Sequence, residues 1–295
     1  MEKGIILKAL SGFYYVENHQ TKEVVQCRSR GLFRKQKITP LVGDQVEFLM
    51  ENEKDGYVMR ILPRQNELVR PPIANVGIAL VVFSAKEPGF NVRLLDRFLA
   101  VIEDKQVEPV IIVTKTDLLA PAESDSLREI LAYYHKTGYQ IFETSTKSNE
   151  GIEALRAFIT DQVIVICGQS GVGKSSLLNA LDHELMLEVN EISHALGRGK
   201  HTTRHVELHK LNDALVADTP GFSALDLEAL EPLDLAASFL DFDRLSDQCR
   251  FRGCLHEQEP RCAVKEAVKK EEILPSRYEN YLHFLEEIKT RKPRY

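Results

Sequence analysis

One stretch of the chain carries the residue types that bind phosphate. Residues 168–175 read Gly-Gln-Ser-Gly-Val-Gly-Lys-Ser, which fits the pattern GxxxxGK[ST] of a phosphate-binding loop. In such a loop Lys174 holds the β- and γ-phosphates and the Ser175 hydroxyl ligates Mg²⁺. A chance glycine turn is the alternative, but the strand-like run 163–167 precedes the loop and a helix-like run follows it. The predicted phosphate site comprises Gly168, Gln169, Ser170, Gly171, Val172, Gly173, Lys174, Ser175 and Ser176.

Two later segments have the residues that respond to a γ-phosphate. Asp218 and Gly221 fit the DxxG element, in which the aspartate holds Mg²⁺ through water and the glycine N–H senses the phosphate. Taken alone, the same four residues also read as an ordinary turn. The basic segment 197–204 is a candidate switch loop, with a plain surface loop as the alternative. Either Thr202 or Thr203 would complete the coordination shell of Mg²⁺, and we take Thr203 as the candidate ligand.

A guanine-reading element lies upstream of the phosphate loop. Residues 114–117 read Thr-Lys-Thr-Asp, a variant of the NKxD element. A carboxylate at Asp117 accepts hydrogen bonds from the ring N–H and the exocyclic amine of guanine, and adenine offers no such pair. Threonine replaces the usual asparagine, so one amide contact is lost. Segment 143–146 is a candidate closing loop over the base. The predicted base site comprises Thr114, Lys115, Thr116, Asp117 and Ser145.

The residue that positions the attacking water is not evident. Phe222 stands where many GTPases carry a glutamine after DxxG, and an apolar side chain cannot orient water. We therefore expect slow intrinsic hydrolysis that depends on a partner. His201 is a hypothesis for the missing role, and a solvated or RNA-facing histidine is an equal alternative.

A second kind of chemistry lies near the C-terminus. Three cysteines and one histidine follow the spacing Cys-x₄-Cys-x-His-x₅-Cys. Three thiolates and one imidazole suit a closed tetrahedral zinc site, structural because no coordination position stays open. The segment is too polar to bury three unligated cysteines. The predicted ligands are Cys249, Cys254, His256 and Cys262.

The composition of the chain limits the class of protein to which it can belong. The 295 residues are 43% hydrophobic and 28% charged, as in ordinary globular proteins, and suffice for two or three domains. No apolar run is long enough to span a bilayer and the start lacks a signal-peptide pattern, so we expect a cytoplasmic protein with no membrane partner. The net charge of -6 argues mildly against nucleic acid, although basic residues recur locally.

The hydrophobic pattern changes along the chain. Up to about residue 70, short alternating runs predict a small β-barrel. Pro71-Pro72 then marks a boundary, because two successive prolines are predicted to continue neither a strand ladder nor a helix. From Val76 onward, continuous apolar runs alternate with helical patterns, which predicts a doubly wound α/β domain with a mostly parallel sheet.

Basic residues gather in each of the three regions. The barrel-like region has Phe33 among Arg28, Arg30, Arg34, Lys35 and Lys37, a candidate RNA contact. Further cations lie in the switch segment, around the cysteines and in the C-terminal tail. Each patch alone is more often a solvated face, but their recurrence favours a polyanionic partner.

The order of the motifs carries a family resemblance. The guanine reader precedes the phosphate loop and DxxG, as in circularly permuted GTPases. With a barrel before this core and a Cys₃His segment after it, the whole chain resembles the small ribosomal subunit biogenesis GTPase family, RsgA. The resemblance implies an OB-fold RNA-binding domain (1–68), a permuted P-loop GTPase domain (69–228) and a helical zinc-binding domain (229–295). It also implies GTP hydrolysis with Mg²⁺, stimulated by the small ribosomal subunit and its rRNA during late maturation. We expect a monomer.

Two alternatives stay open at this point. One is a P-loop ATPase or nucleotide kinase with a structural zinc, which Asp117 argues against. The other is an RNA-binding module in which the nucleotide is a stabilising ligand that is not turned over.

Overall fold

The computed structural model of the protein describes residues 1–29, 33, 38–52, 54–69, 71–182, 206–217, 227 and 230–291. The chain divides into two compact units. The first is made of Met1–Ala79, Glu153–Cys167 and Ser175–Ser223, and the second of Leu80–Ile152, Gly168–Lys174 and Ala224–Tyr295. Within the described ranges, no helix is both long and apolar enough to cross a lipid bilayer.

The secondary structure of the described residues follows the predicted change from barrel to α/β pattern. The strands are β1 (Glu2–Leu10), β2 (Phe13–Asn18), β3 (Val24–Ser29), β4 (Gln45–Met50), β5 (Asp55–Ile61), β6 (Glu67–Val69), β7 (Pro72–Ala74), β8 (Ile78–Ser84), β9 (Glu108–Thr114), β10 (Gln140–Glu143), β11 (Val163–Cys167), β12 (Leu208–Leu211) and β13 (Ala214–Ala217). The helices are α1 (Val92–Asp104), α2 (Pro121–Thr137), α3 (Ile152–Phe158), α4 (Lys174–Leu181), α5 (Pro232–Ala237), α6 (Leu240–Ser246), α7 (Ala263–Lys269) and α8 (Pro275–Thr290), with a 3₁₀ turn at Thr116–Leu118.

A closed five-stranded barrel opens the first unit and confirms the predicted small β-barrel. Around it the strand order is β1-β2-β3-β5-β4. Ile6, Val16, Phe48 and Val58 are fully buried inside it. Along β4 and β5 the residues on either side of Phe48 and Val58 are more exposed, because alternate side chains point to opposite faces.

The boundary at the two prolines differs from the prediction. Pro72 starts β7, which pairs antiparallel with β6 through the partners Val69 and Pro72. The expectation that these prolines lie outside any strand ladder is therefore wrong for Pro72. Proline is tolerated at the first residue of a strand, where it withholds only one N–H from the ladder.

The first unit also contains strands of the α/β region. β11 runs parallel to β13, and β12 pairs antiparallel with β13. Lys8 of the barrel forms a β-bridge and a 2.6 Å ion pair with Glu207, just before β12. The barrel and this hairpin are thus in direct contact within one unit.

The second unit carries a parallel ladder flanked by helices. β9 lies between β8 and β10 and runs parallel to β10. All seven residues of β8 and six of the seven in β9 are buried. This confirms strands covered on both faces, as the continuous apolar runs predicted.

A buried ionic cluster joins helices of the second unit. The Arg277 guanidinium on α8 is 1% exposed and donates to Asp96 on α1 at 2.5 Å and to Asp241 on α6 at 2.9 Å. Asp96 also accepts from the Tyr134 hydroxyl at 2.6 Å and the Asn280 amide at 2.7 Å. Burial raises the pKa of Asp96, while Arg277 and these two donors act in the opposite direction. Every charge in the cluster therefore has a partner, which the low-dielectric interior requires.

Candidate nucleotide and metal sites

The phosphate loop lies between β11 and α4, in the predicted strand–loop–helix order. The loop glycines Gly168, Gly171 and Gly173 have φ values of 137°, 80° and 94°. A Cβ on Gly168 would lie 2.2 Å from the Val82 carbonyl oxygen, so only glycine lets the loop approach β8 this closely. The chain then enters α4 at Lys174, which places the positive end of a helix at the loop.

The side chains of the loop are arranged for an anion. The Lys174 ammonium donates to the carbonyls of Gly168 and Gln169 at 2.9 and 2.6 Å, so it lies across the loop. Val172 is 1% exposed and anchors the loop to the interior. The side chains expected to reach the ligand are solvent-exposed: Gln169, Ser170, Ser175 and Ser176.

The structure brings the guanine-reading element against the phosphate loop. Thr114, at the end of β9, is 3% exposed, and its hydroxyl lies 2.5 Å from the Val172 carbonyl and 3.2 Å from the Phe83 carbonyl. The Lys115 ammonium donates to the carbonyls of Glu87 and Gly171 at 2.5 and 2.7 Å. Two successive residues therefore fasten the base-reading strand to the phosphate-binding backbone. A threonine suffices for this contact, although the motif commonly has asparagine.

Asp117 is held by the predicted closing loop. The carboxylate is exposed, and its Oδ1 accepts a 2.7 Å hydrogen bond from the hydroxyl of Ser145, which is fully buried. Ser145 is fixed in turn by the backbone N–H groups of Lys147 and Ser148 at 3.3 and 3.2 Å. Thr116 donates to the Thr144 carbonyl at 3.2 Å. The two segments predicted from sequence thus meet, and the carboxylate that would select the base has a defined orientation.

Several predicted residues lie outside the described part of the chain. These are His201, Thr202, Thr203, Asp218, Gly221 and Phe222. One prediction near the barrel is wrong: Phe33, expected as an aromatic contact in a basic loop, is only 7% exposed. Its ring is part of the core and cannot stack on a ligand.

The four predicted metal ligands meet in one group in the second unit. The ligand atoms of Cys249, Cys254, His256 and Cys262 all lie within 4.8 Å of one another. The Cys249 and Cys262 sulfurs are 3.9 Å apart, and His256 Nδ1 is 3.3 Å from Cys262 Sγ. A tetrahedron with metal–sulfur distances of ~2.3 Å has S···S edges of roughly 3.8 Å, so the spacing fits a metal ion.

The surroundings of this group also fit a cation. Burial raises the pKa of the Cys254 thiol to about 12 and lowers the pKa of His256. Thiolates in such a place need a positive charge to offset their desolvation, which a metal supplies. The backbone of the ligand loop is fixed by the hydroxyls of Tyr278 and Tyr281, which donate to the carbonyls of His256 and Leu255 at 2.6 and 2.7 Å. Neither tyrosine belongs to a sequence motif that would have identified it. Only their spacing of three residues indicates that they share one face of α8.

Two family models match the chain. The family model for the RsgA GTPase matches residues 61–228, and the model for the RsgA N-terminal domain matches residues 3–58. A curated small ribosomal subunit biogenesis GTPase RsgA of Geobacillus sp. (strain WCH70) is 55% identical over 295 residues, covering 100% of both chains. The chain belongs to the RsgA family. The RsgA of Bacillus subtilis (strain 168) is 51% identical over 298 residues and 100% of both chains.

Two solved structures agree with this assignment. The crystal structure of YloQ, described as a circularly permuted GTPase, has a TM-score of 0.86 and 45% identity over 100% of this chain and 97% of its own. YjeQ from Thermotoga maritima has a TM-score of 0.87 and 35% identity over 99% of both chains. The predicted circularly permuted GTPase core is therefore confirmed, and family membership makes the chain a GTP-hydrolysing enzyme rather than an ATPase or nucleotide kinase.

Proposed function

We propose that the protein binds the small ribosomal subunit and hydrolyses GTP during late maturation of that subunit, with rRNA as the contacted partner. The observation that carries the proposal is Asp117, oriented by Ser145 beside a phosphate loop to which the same motif is tied by Thr114 and Lys115. An oriented carboxylate selects guanine over adenine, because only guanine presents two adjacent donors. The names of the curated relatives support the ribosomal partner.

Roles of the individual residues follow from their chemistry. Lys174 and the loop backbone bind the phosphates, and Ser175 with Asp218 and Thr203 holds Mg²⁺, which supplies positive charge to the phosphates when bound. Gly221 senses the γ-phosphate through its N–H. The remaining nucleotide contacts come from Thr114, Lys115, Thr116, Asp117, Ser145, Gly168, Gln169, Ser170, Gly171, Val172, Gly173 and Ser176.

Hydrolysis by the isolated chain is slow in this proposal, because Phe222 cannot orient water. His201 is our hypothesis for the group that does so on the subunit. Replacing His201 by alanine tests it: unchanged subunit-stimulated turnover would eliminate this role.

The metal group is proposed as a structural zinc site. Its donors, three thiolates and one imidazole, match zinc and leave no open coordination position. Cys249, Cys254, His256 and Cys262 would bind one ion, which holds a segment with a small apolar core.

Domain limits, assembly and location complete the proposal. We place the OB-fold RNA-binding domain at 1–68, the GTPase domain at 69–228 and the zinc domain at 229–295; the family matches themselves cover residues 3–58 and 61–228. The protein acts as a cytoplasmic monomer.

GTP turnover with and without purified small subunits tests the proposal. We expect slow turnover alone, strong stimulation by small subunits and none by large subunits. The Lys174→Ala variant, which lacks the phosphate-binding ammonium, serves as the inactive control. Equal turnover with and without small subunits would refute the ribosomal role.

A further inference from the structure

Two ion pairs fasten the barrel to the hairpin that β12 and β13 form. The Lys8 ammonium of β1 lies 2.6 Å from the carboxylate of Glu207, and the Lys210 ammonium of β12 lies 2.5 Å from the carboxylate of Glu17 on β2. The backbone joins the same parts, because Lys8 and Glu207 also form an antiparallel bridge. We call the pairs Lys8–Glu207 and Glu17–Lys210 the barrel clamp.

The Glu17–Lys210 pair meets a requirement of the barrel. Glu17 is 5% exposed, and a buried carboxylate needs a nearby cation to offset its desolvation. Within the described ranges its Oε2 has no other partner, and the Lys22 ammonium is 3.9 Å from Oε1. Lys210 is exposed and belongs to the hairpin. The hairpin therefore supplies a charge that the barrel needs.

The hairpin adjoins the nucleotide-sensing motifs along the chain. β13 ends at Ala217, and Asp218 of the DxxG element is the next residue in the sequence. Glu207 comes three residues after the candidate switch segment 197–204. β13 also runs parallel to β11, whose last residue, Cys167, precedes the phosphate loop. A shift of the hairpin would therefore move the points where both γ-phosphate-sensing segments join the fold.

The contact between barrel and hairpin is partly polar and leaves room for such a shift. A cleft of about 640 Å³ lies beside the Glu17–Lys210 pair, and Asp213 in the hairpin turn is among the residues that line it. The side chains of Lys8 and Glu207 are each 33% exposed, so water can replace either partner. Ion pairs of this kind break and re-form at a smaller cost than a packed apolar contact.

We propose that the barrel clamp positions the hairpin and thereby couples the barrel to the bound nucleotide. The proposal rests on the proposed function in that the DxxG and switch segments respond to the γ-phosphate of GTP. Coupling between two sites is reciprocal, so a partner held by the barrel changes the affinity for GTP by the same factor as GTP changes the affinity for that partner. Lys8 and Glu17 are positioning residues, because they act through the hairpin.

Hydrogen–deuterium exchange of the full-length protein tests the coupling. Exchange is measured by mass spectrometry with saturating GDP and with a saturating non-hydrolysable GTP analogue, both with Mg²⁺. In the wild type, the amides of β1 and β2 should exchange at different rates in the two states. Lys8→Glu puts like charges across the bridge and should remove most of this difference. The combined Lys8→Glu, Glu207→Lys variant restores opposite charges and should regain it.

Nucleotide affinity gives a second readout, which a loss of stability alone does not move. In Lys8→Glu the ratio of the dissociation constants for GDP and the analogue should change by about 2- to 5-fold, the factor that a partly exposed ion pair supports. Lys210→Met leaves Glu17 without its main cation and should shift the ratio in the same direction. Lys269→Glu breaks an exposed pair with Glu266 within α7 and is the matched control, with wild-type exchange and affinities expected.

The outcomes separate the clamp from the proposed function. Equal exchange of β1 and β2 in the two nucleotide states of the wild type would overturn the coupling, as would a wild-type response in both Lys8→Glu and Lys210→Met. A combined variant that does not recover would show that Lys8 and Glu207 do not act as a pair, which also overturns it. Subunit-stimulated GTP turnover of the wild type is measured in parallel. Its absence would refute the ribosomal role, while a nucleotide-dependent difference in exchange would still support the clamp.

Discussion

Replacing Arg277 by methionine should destabilise the second unit strongly, and more so at high pH. The guanidinium is 1% exposed and pairs with Asp96, which is fully buried, and with Asp241. It also lies 4.6 Å from the centre of the Phe239 ring, so methionine fills much of the space but leaves two carboxylates without their cation.

The size of the loss in stability depends on which hydrogen-bond donors each carboxylate keeps after Arg277 is replaced. Breaking a buried pair by removing one partner costs about 3–5 kcal/mol. Asp241 keeps the Tyr133 hydroxyl and is 11% exposed, so water can replace part of the loss. Asp96 keeps the Tyr134 hydroxyl and the Asn280 amide but has no access to water. We therefore expect a loss of about 3–4 kcal/mol at pH 8, mainly from Asp96.

The pH dependence has a definite sign. Burial already raises the pKa of Asp96 in the wild type, and removing Arg277 raises it further. The native variant then takes up a proton that the unfolded chain and the native wild type do not. The difference in free energy of unfolding between the wild type and Arg277→Met should therefore shrink as the pH falls. It should shrink by up to ~1.4 kcal/mol per pH unit between the pKa of Asp96 in the native variant and its pKa in the native wild type.

Urea unfolding followed by circular dichroism at pH 8 and pH 5 measures both effects. Arg97→Met is the matched control, since Arg97 also links α1 to α8 through Glu287 but is 20% exposed. Its loss should be no more than about 1 kcal/mol at either pH. The reasoning is refuted if Arg277→Met costs no more than the control, or if its deficit grows on acidification.

Two further predictions concern the candidate sites. Thr114→Val removes the hydroxyl near the Val172 carbonyl, so the free energy of unfolding should fall by about 1–3 kcal/mol and GDP should bind more weakly by calorimetry. Thr137→Val, which removes a hydroxyl bonded to the Tyr133 carbonyl within α2, is its control, and equal weakening of GDP binding in the two variants would contradict the tethering role. Metal analysis should find one zinc ion per chain in the wild type and less in Cys262→Ser. Adding a chelator should remove the metal and reduce the helical circular dichroism signal. Cys27→Ser, at a buried barrel position, should keep its zinc; zinc-free wild type with full helical signal would contradict a structural role.

The site could be predicted from sequence where a short motif fixes both residue type and spacing. The phosphate loop, Asp117 and the Cys₃His group are of this kind, because each must place its donors within a few residues of one another. The long apolar runs of β8 and β9 were equally informative, since strands buried on both faces have that pattern.

The rest depended on contacts between distant residues, which no local pattern encodes. The pairing of Arg277 with Asp96 joins residues 181 positions apart. Phe33 was expected on the surface because its neighbours are basic, but burial of a single aromatic ring outweighs the polarity of the residues around it.

Base selection by Asp117 is the claim on which the account of function depends most directly. The measurement is subunit-stimulated turnover of GTP and of xanthosine triphosphate by the wild type and by Asp117→Asn. Xanthine carries a carbonyl where guanine has its exocyclic amine, so the asparagine amide can donate to it. We predict that the wild type prefers GTP and that the variant loses about 10- to 150-fold on GTP while gaining on xanthosine triphosphate. An unchanged preference for GTP in Asp117→Asn would contradict the account.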